Sequence, residues 1–382
     1  MRKAGKMGPW FHVHCASLGE FEQGAEVLAA LRRRQPNRPI LLTFFSPSGV
    51  EGVSAEEADH IDYLPFDLPQ AMNRFARTLD IGDTVLVKYE LWPGLIQALH
   101  RKGCRIHLIA SRFDPHRHPL NRLGFLVRKS MRLLSSIQTQ DSASGQALEA
   151  WNLDSLETGD PRVDRVHRIS TAPPPVEVQS SLDAIAQWAG GRSIFVVGSA
   201  WPPEWSAVEA ILEGHSGWCA LVAPHEIHSQ QAQSWAEQTG AVRLSQWTGP
   251  KGNTGTSDAV MIADRMGILK YAYRLGAFAV VGGGWGKGVH NTLEAAVYGL
   301  PVLFGPAIAG FREIDALLEA GAARVCHEPE TLIEQARNWM AQSGERDEAG
   351  KAAARWLKGQ SGAAERIADA LFAVPSGGNQ TA

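Results

Sequence analysis

The chain has 382 residues, 44% of them hydrophobic and 20% charged, with a formal net charge of −3. That length exceeds one ordinary core, so two domains of about 100–200 residues are expected, and the composition is that of a soluble globular protein. Apolar runs such as "SIFVVGSA" fall far short of the roughly 20 residues of a spanning helix, and the start "MRKAGKMGPWFHVH" lacks the apolar stretch of a secretory signal.

Four cysteines, Cys15, Cys104, Cys219 and Cys326, lie scattered without metal-ligand spacing, as reduced thiols of a cytoplasmic chain would. The charge is uneven. Residues 1–170 hold 22 Lys+Arg against 19 Asp+Glu, whereas the remainder holds 15 against 21. Segment 100–140 carries nine Lys/Arg opposed only by Asp114. Such a face suits an anionic lipid surface or a phosphorylated substrate, or is simply a solvated helix surface.

In chain order, strands are predicted at "FHVHCAS", "ILLTFFS", "DTVLVKYE" and "RIHLIAS" in the first half. In the second they fall at "SIFVVGS", "WCALVAP", "AFAVVGG" and "LPVLFG". Helical segments are predicted between them at 20–35, 92–102, 204–214, 228–239 and 291–299. Strands alternating with helices indicate parallel sheets covered on both faces, an α/β class. The Pro- and Ser-rich "ISTAPPPVEVQS" breaks the alternation. The expected division is therefore 1–168, a linker at 169–190, 191–373 and a disordered tail at 374–382. Two doubly wound halves place a ligand crevice at the carboxyl ends of the strands. That architecture serves nucleotide-sugar glycosyltransferases and dehydrogenases alike, so it does not decide function.

The glycine-rich "GGGWGKGVHNTLEAA" follows a predicted strand and enters a helix. Bare backbone admits a phosphate closely, and a helix start favours an anion. Its spacing is neither GxGxxG nor GxxxxGK[ST]. Glu294, three residues after Asn291, could accept from ribose hydroxyls while the amides of Asn291 and Thr292 face phosphate. Alternatively, Asn291 is an N-cap and Glu294 its capping partner. Lys287 is a cation among the glycines that contacts phosphate or solvent.

These residues, with blocks spread along the chain, resemble the Kdo transferases, bacterial enzymes that move 3-deoxy-D-manno-oct-2-ulosonic acid (Kdo) from CMP-Kdo to a lipid A precursor. The blocks are "HVHCASLGE", "TFFSPSGVEG", "YLPFDLPQAMNRFAR", "VLVKYELWPGL", "TGDPRVDRV", "VVGSAWPPEW", "ADRMGILKYAYRLGAFAVVGGG" and "GVHNTLEA". The resemblance implies a GT-B glycosyltransferase of two Rossmann-like domains facing a central crevice, the first for the acceptor and the second for the CMP-sugar.

It further implies that Glu20 is the general base, although Ser17-x-x-Glu20 also spells a capping box. Glu90 would stabilise an oxocarbenium-like transition state, or else pair with a crevice arginine. Arg162, where the family has lysine, would neutralise the leaving phosphate or the Kdo carboxylate. The donor site would comprise Ser199, Pro224, His225, Met266, Gly267, Ile268, Gly283, Gly284, Asn291, Thr292, Leu293 and Glu294. Three departures stand out. "APHEIHS" lacks the family arginine beside His225, Ile268 replaces a family glutamate, and the chain begins a few residues before its first strand where relatives carry an apolar anchor. The alternative for Met266 and Ile268 is ordinary helix core, the less favoured of the two readings.

No cofactor or metal is expected: His12 and His14 alternate on a strand and "PHRHP" is loop-like, without converging ligands. The expected partners are CMP-Kdo, a lipid A precursor and the anionic cytoplasmic face of the inner membrane, not nucleic acid. Amphipathic "LGFLVRKSMRLL" would hold the protein there peripherally. The rival readings are a UDP-sugar transferase or epimerase, and a nucleotide-binding protein without catalysis.

Overall fold

A computed structural model describes residues 8–113, 124–226, 230–249, 256–308 and 310–373. The chain divides into two compact units, one of residues 1–165 with 360–382 and the other of residues 166–359.

The first unit is built in the order β1 (Trp10–Cys15), α1 (Leu18–Arg34), β2 (Ile40–Phe44), α2 (Pro47–Gly52), β3 (His60–Tyr63), α3 (Pro69–Thr78), β4 (Ile81–Val87) and α4 (Pro93–His100). It continues with β5 (Arg105–Ser111), α5 (Gly124–Met131), β6 (Ser136–Thr139), α6 (Ser142–Glu149) and β7 (Leu156–Glu157). Its seven strands are ordered β3-β2-β1-β4-β5-β6-β7, with every pairing parallel. The strands are nearly continuous apolar runs because both faces are covered. Strand alternation sends Trp10, Leu41 and Leu86 into one core and Phe11, Val13, Leu42, Val85 and Val87 into the other. Several helices begin at proline, Pro47, Pro69 and Pro93 among them, where the missing N–H costs nothing.

The chain leaves the first unit within α7 (Pro161–Thr171). The second unit contains α8 (Val176–Ala189), β8 (Ser193–Ala200), α9 (Pro202–Leu212), β9 (Trp218–Pro224), α10 (Gln230–Thr239), β10 (Val242–Arg243), β11 (Val260–Ile262), α11 (Leu269–Ala272) and β12 (Gly276–Val281). Then follow α12 (Leu293–Ala296), β13 (Val302–Phe304), α13 (Arg312–Glu319), β14 (Ala323–Val325), α14 (Pro329–Ala341) and α15 (Ser343–Gln360). Its parallel sheet has the order β10-β11-β9-β8-β12-β13-β14. The last helix, α16 (Ala363–Ala373), lies in the first unit, where Ala364, Ile367, Ala368 and Leu371 join the core beneath α1.

All eight predicted strands are present, and both sheets are doubly wound. Three expectations need correction. The 169–190 segment is not a linker but the end of α7 and all of α8, whose Leu182, Ile185 and Trp188 are buried. The second unit ends before Gln360 rather than at 373, because α16 carries an apolar face that the first unit buries. The predicted helix 291–299 shrinks to the four residues of α12, since Gly299 at φ 71° and Pro301 end it at once. The tail 374–382, all of "PHRHP" and residues 114–123 of the 100–140 basic segment lie outside the described residues. Among the described residues no helix is long and apolar enough to cross a membrane.

Candidate active site

In the first unit the strand order reverses between β1 and β4, the position at which open α/β sheets bind ligands. Glu20 stands in the first turn of α1, just after β1. Ser17 is the N-cap of that helix but makes no side-chain capping bond. Its hydroxyl instead donates to the Glu20 carboxylate, so the capping-box alternative does not form. Glu90 follows β4, its side chain 12% exposed. Its Oε2 accepts from the Trp92 indole at 2.6 Å and lies 3.4 Å from His14 Nε2. An arginine partner, the alternative reading of Glu90, is not found among the described residues. Burial, followed by the charges of Glu20 and then Glu90, pushes the Cys15 thiol far above its ordinary value. Both carboxylates therefore lie within electrostatic reach of one buried sulfur at the end of β1.

The loop carrying Glu90 is braced. Lys88 adopts φ 67°, a left-handed conformation costly for a non-glycine residue and often found at functional sites. Asp67, in the "LPFDLP" block, accepts from the Gly94 and Leu95 amides at 2.9 and 2.8 Å. Around this loop lies an exposed apolar rim of Phe45, Tyr63, Phe66, Leu68 and Tyr89, with Phe66 73% exposed. Phe45 packs 5.1 Å from the Trp92 ring. Arg162, in the same unit, is held by Asp160 through Nε at 2.9 Å and Nη2 at 2.6 Å. Its charge is thus largely offset, where the sequence reading left it available for a phosphate.

In the second unit the corresponding reversal lies between β8 and β12. Ser199, near the end of β8, has φ 51°. Its backbone is so close to Gly282 that a Cβ there would meet the Ser199 carbonyl oxygen at 2.1 Å. A Cβ on Gly284 would likewise meet the Gly305 nitrogen at 2.3 Å. These glycines are accordingly required by backbone packing between strand ends, independently of any ligand. The Gly283 amide is also used, donating to Glu204 Oε1 at 2.9 Å; burial raises the Glu204 pKa.

Asn291 Oδ1 accepts from the Leu293 amide at 3.1 Å, and its amide group reaches Glu294 Oε1 at 3.4 Å, so the capping alternative is formed in part. Thr292 is buried, and its hydroxyl has no hydrogen-bond partner among the described residues. Leu293 is buried. With α12 only four residues long, the helix-dipole argument for phosphate binding loses its basis, because a macrodipole needs aligned peptides.

Pro224 ends β9, and the exposed His225 follows it. The His225 ring stacks between Trp201, 4.4 Å away, and His290, 4.5 Å away. Trp201 Nε1 donates to His290 Nε2 at 3.2 Å, which places the His290 proton on Nδ1. Burial, then the His225 ring, lowers the His290 pKa. Lys287 Nζ lies 5.5 Å from the Trp201 ring. Met266 is 74% exposed and Gly267 adopts φ 75°, whereas Ile268 is buried. Core burial thus holds for Ile268 and fails for Met266.

Sequence reasoning missed Trp201, His290 and His14 as parts of these sites. The alternation of His12 and His14 was visible and placed both on one strand face, but their partners are remote in sequence. Among the described residues no group of three or more His, Cys, Asp or Glu side chains is arranged to hold a metal ion. A broad concavity of about 1670 Å³ opens at the other, amino ends of the second sheet, beside Arg192, His215 and Asp258. It contains none of the candidate residues.

Two doubly wound units, each built on a seven-stranded parallel sheet, make the GT-B type of fold. A UDP-N-acetylglucosamine 2-epimerase from Neisseria meningitidis has this fold, with a TM-score of 0.66 at 12% identity over 95% of this chain and 99% of that one. A similar enzyme from Listeria monocytogenes gives 0.65 at 13%, covering 95% of both chains. The family model described as 3-deoxy-D-manno-octulosonic-acid transferase (kdotransferase) matches residues 2–165. Residues 2–165 thus match the Kdo transferase family, and likeness to its curated members runs on through the remainder. The 3-deoxy-D-manno-octulosonic acid transferases of Bordetella pertussis and Haemophilus influenzae are each 27% identical, over 94% of this chain and 86% of theirs.

Proposed function

We propose that this protein transfers Kdo from CMP-Kdo to a lipid A precursor with inversion at the anomeric carbon. The observation that carries the reading is the pair Glu20, in the first turn after β1, and Glu90, just after β4, both at the switch point of the first sheet. An acceptor sugar hydroxyl has a pKa far above neutrality, so its attack needs a positioned base. Glu20 takes the hydroxyl proton as the oxygen forms its bond to the anomeric carbon of Kdo. The bond to the phosphate oxygen breaks on the opposite face, and CMP departs with the electron pair. Glu90 stabilises the positive charge that develops on the sugar ring.

The donor-binding groups are assigned to the second unit. Ser199, Pro224, His225 and the Met266–Ile268 turn contact CMP, with Gly283, Gly284, Asn291, Thr292, Leu293 and Glu294 around its ribose and phosphate. Lys287 beside Trp201 supplies a cation near the position where the family arginine is missing. Arg162 contributes charge only as Asp160 releases it. The reading assigns charge stabilisation to side chains and calls for no cofactor.

The apolar rim from Phe45 to Tyr89 fits an acylated acceptor, and basic Arg128, Lys129 and Arg132 suit an anionic leaflet. Attachment would be peripheral, on the cytoplasmic face of the inner membrane. Reversing those three charges should abolish co-sedimentation with anionic liposomes.

The decisive experiment incubates the protein with lipid A precursor and CMP-Kdo generated in situ, then reads the lipid by mass spectrometry. A gain of one or more Kdo masses is expected, and no gain from a protein that still binds CMP would refute the reading. Thermal protection by UDP but not CMP would favour the epimerase-like alternative.

A further inference from the structure

The side chains behind Glu90 form a continuous buried polar file. Period-2 alternation on β1 puts His12 and His14 on the same face, and both are fully buried. Imidazoles in such a sheet are costly unless every nitrogen finds a partner. His12 Nδ1 lies 3.2 Å from Thr84 Oγ1, and its Nε2 lies 2.8 Å from Thr43 Oγ1. The same Thr43 hydroxyl is 2.9 Å from His14 Nδ1, with the Thr43 carbonyl at 3.1 Å. His14 Nε2 then lies 3.4 Å from Glu90 Oε2 and makes no hydrogen bond among the described residues. The file thus runs from β4 through β1 and β2 to the Glu90 loop.

We propose that His14 is a positioning residue for Glu90, with Thr43 fixing its ring and its Nε2 sharing a proton with the carboxylate. The inference rests on the reading of Glu90 as the transition-state stabiliser. Two kinds of proton arrangement satisfy Thr43, and the proposal selects the first. In one, the Thr43 hydroxyl donates to Nδ1, and a neutral His14 carries its only N–H at Nε2, toward Glu90. In the other, Nδ1–H points at the Thr43 carbonyl, which can only accept. A neutral ring would then leave Nε2 bare beside the carboxylate oxygen, lone pair against lone pair, and this is the arrangement that the proposal excludes. Burial, and then His14, pushes the His12 pKa far down, so His12 stays neutral and holds Thr43 in place.

The 3.4 Å separation is longer than an ordinary hydrogen bond. Contacts of this kind tighten when substrate is bound. Both protein contacts fall on Oε2, since the Trp92 indole also donates there. Oε1 is left without a donor among the described residues, available to the reacting sugar. Loss of His14 would leave Oε2 to Trp92 alone and free the carboxylate to rotate.

Histidine-¹⁵N NMR on the full-length chain near neutral pH tests the proton directly. His14 is expected to show a protonated Nε2, and Glu90→Gln should move that resonance while leaving those of His12 in place. A His14 found as the neutral Nδ1–H tautomer overturns the proposal, whatever the turnover. In the transfer assay, His14→Gln presents an amide nitrogen where Nε2 stands and should retain most of kcat. His14→Asn keeps only the contact to Thr43 and should lower kcat about 10- to 100-fold at unchanged donor KM, the scale for groups that orient a functional side chain. Equal losses in the two variants, each still folded by circular dichroism, would mean a purely structural histidine and would also overturn it. Full turnover by Glu90→Gln would be a separate failure, of the reading of Glu90 itself, and would leave the tautomer result standing.

Discussion

The Asp67 carboxylate accepts a hydrogen bond from the Leu95 amide at 2.8 Å, across 28 residues of chain. With the bond from Gly94, it satisfies two of the orphan donors at the start of α4. It thereby anchors the loop of Glu90 and Trp92 from outside. A block that the sequence offered only as a family likeness has a plain physical task. Asp67→Ala should cost about 1 kcal/mol of stability, as for a lost helix cap. It should lower kcat more than donor affinity, because the loop it frees carries Glu90. Paired chemical denaturation and steady-state kinetics would check both, and an unchanged kcat would detach Asp67 from the site.

Glu20→Gln should reduce transfer by about a hundredfold or more, the scale of general-base catalysis. CMP binding and the melting temperature should stay as in the parent, because the Ser17 hydroxyl can still donate to the amide oxygen. Mass spectrometry of the lipid product and isothermal titration with CMP would read the two sides. More than a tenth of the parent rate would rule Glu20 out as the base.

Gly284→Ala tests whether the glycine-rich turn is structural. The added methyl would fall 2.3 Å from the Gly305 nitrogen, a backbone atom that cannot step aside. A loss of about 1–3 kcal/mol is expected, together with weaker CMP binding. Gly286→Ala, where the nearest atom is 3.9 Å away, serves as the tolerant control. Equal melting temperatures for the two variants would contradict the packing argument.

Stability should fall on acidification, for two reasons of the same sign. Burial lowers the pKa of His12 and, against the pull of Asp83, that of His107. Below their ordinary value of about 6.5 the unfolded chain binds protons that the folded one refuses. Asp83 acts lower on the scale. Burial alone would raise its pKa, but the nearby His107 ring, 3.7 Å away, and the guanidinium groups of Arg105 and Arg38 hold it well below the usual carboxylate range. Its stabilisation is present above about pH 4 and is lost as pH drops toward the folded value. Asp83→Asn should therefore cost about 3–5 kcal/mol near neutrality, since it strands Arg38 and Arg105, each 2.6 Å from the carboxylate. Thermal melts from neutral to acid pH should show the parent declining and the variant declining less at the acid end.

Much of this was legible in the sequence because the central strands announce themselves. "FHVHCAS" and "SIFVVGS" are covered on both faces, so they read as apolar runs bounded by turns. The peripheral strands, "HIDY", "SIQT", "VR" and "ARV", carry no such pattern. They are short, and they become strands only through pairing with a neighbour already in place. The carboxylates Glu20 and Glu90 were visible from family motifs at predicted strand ends. His14 beside Glu90, and the stack of Trp201, His225 and His290 in the second unit, were not assigned, since these contacts join residues far apart in the chain.

The sequence by itself determined the α/β alternation, the doubly wound halves and the two carboxylates, because these depend on local periodicity and on motifs contiguous in the chain. The tertiary structure decided the rest. It returned α16 to the first unit, turned the supposed linker into α7 and α8, engaged Arg162 with Asp160, and reduced the glycine-rich helix start to one turn. The placement of α16 and of α8 depends on which surfaces meet after folding, a question of burial that no run of adjacent residues encodes.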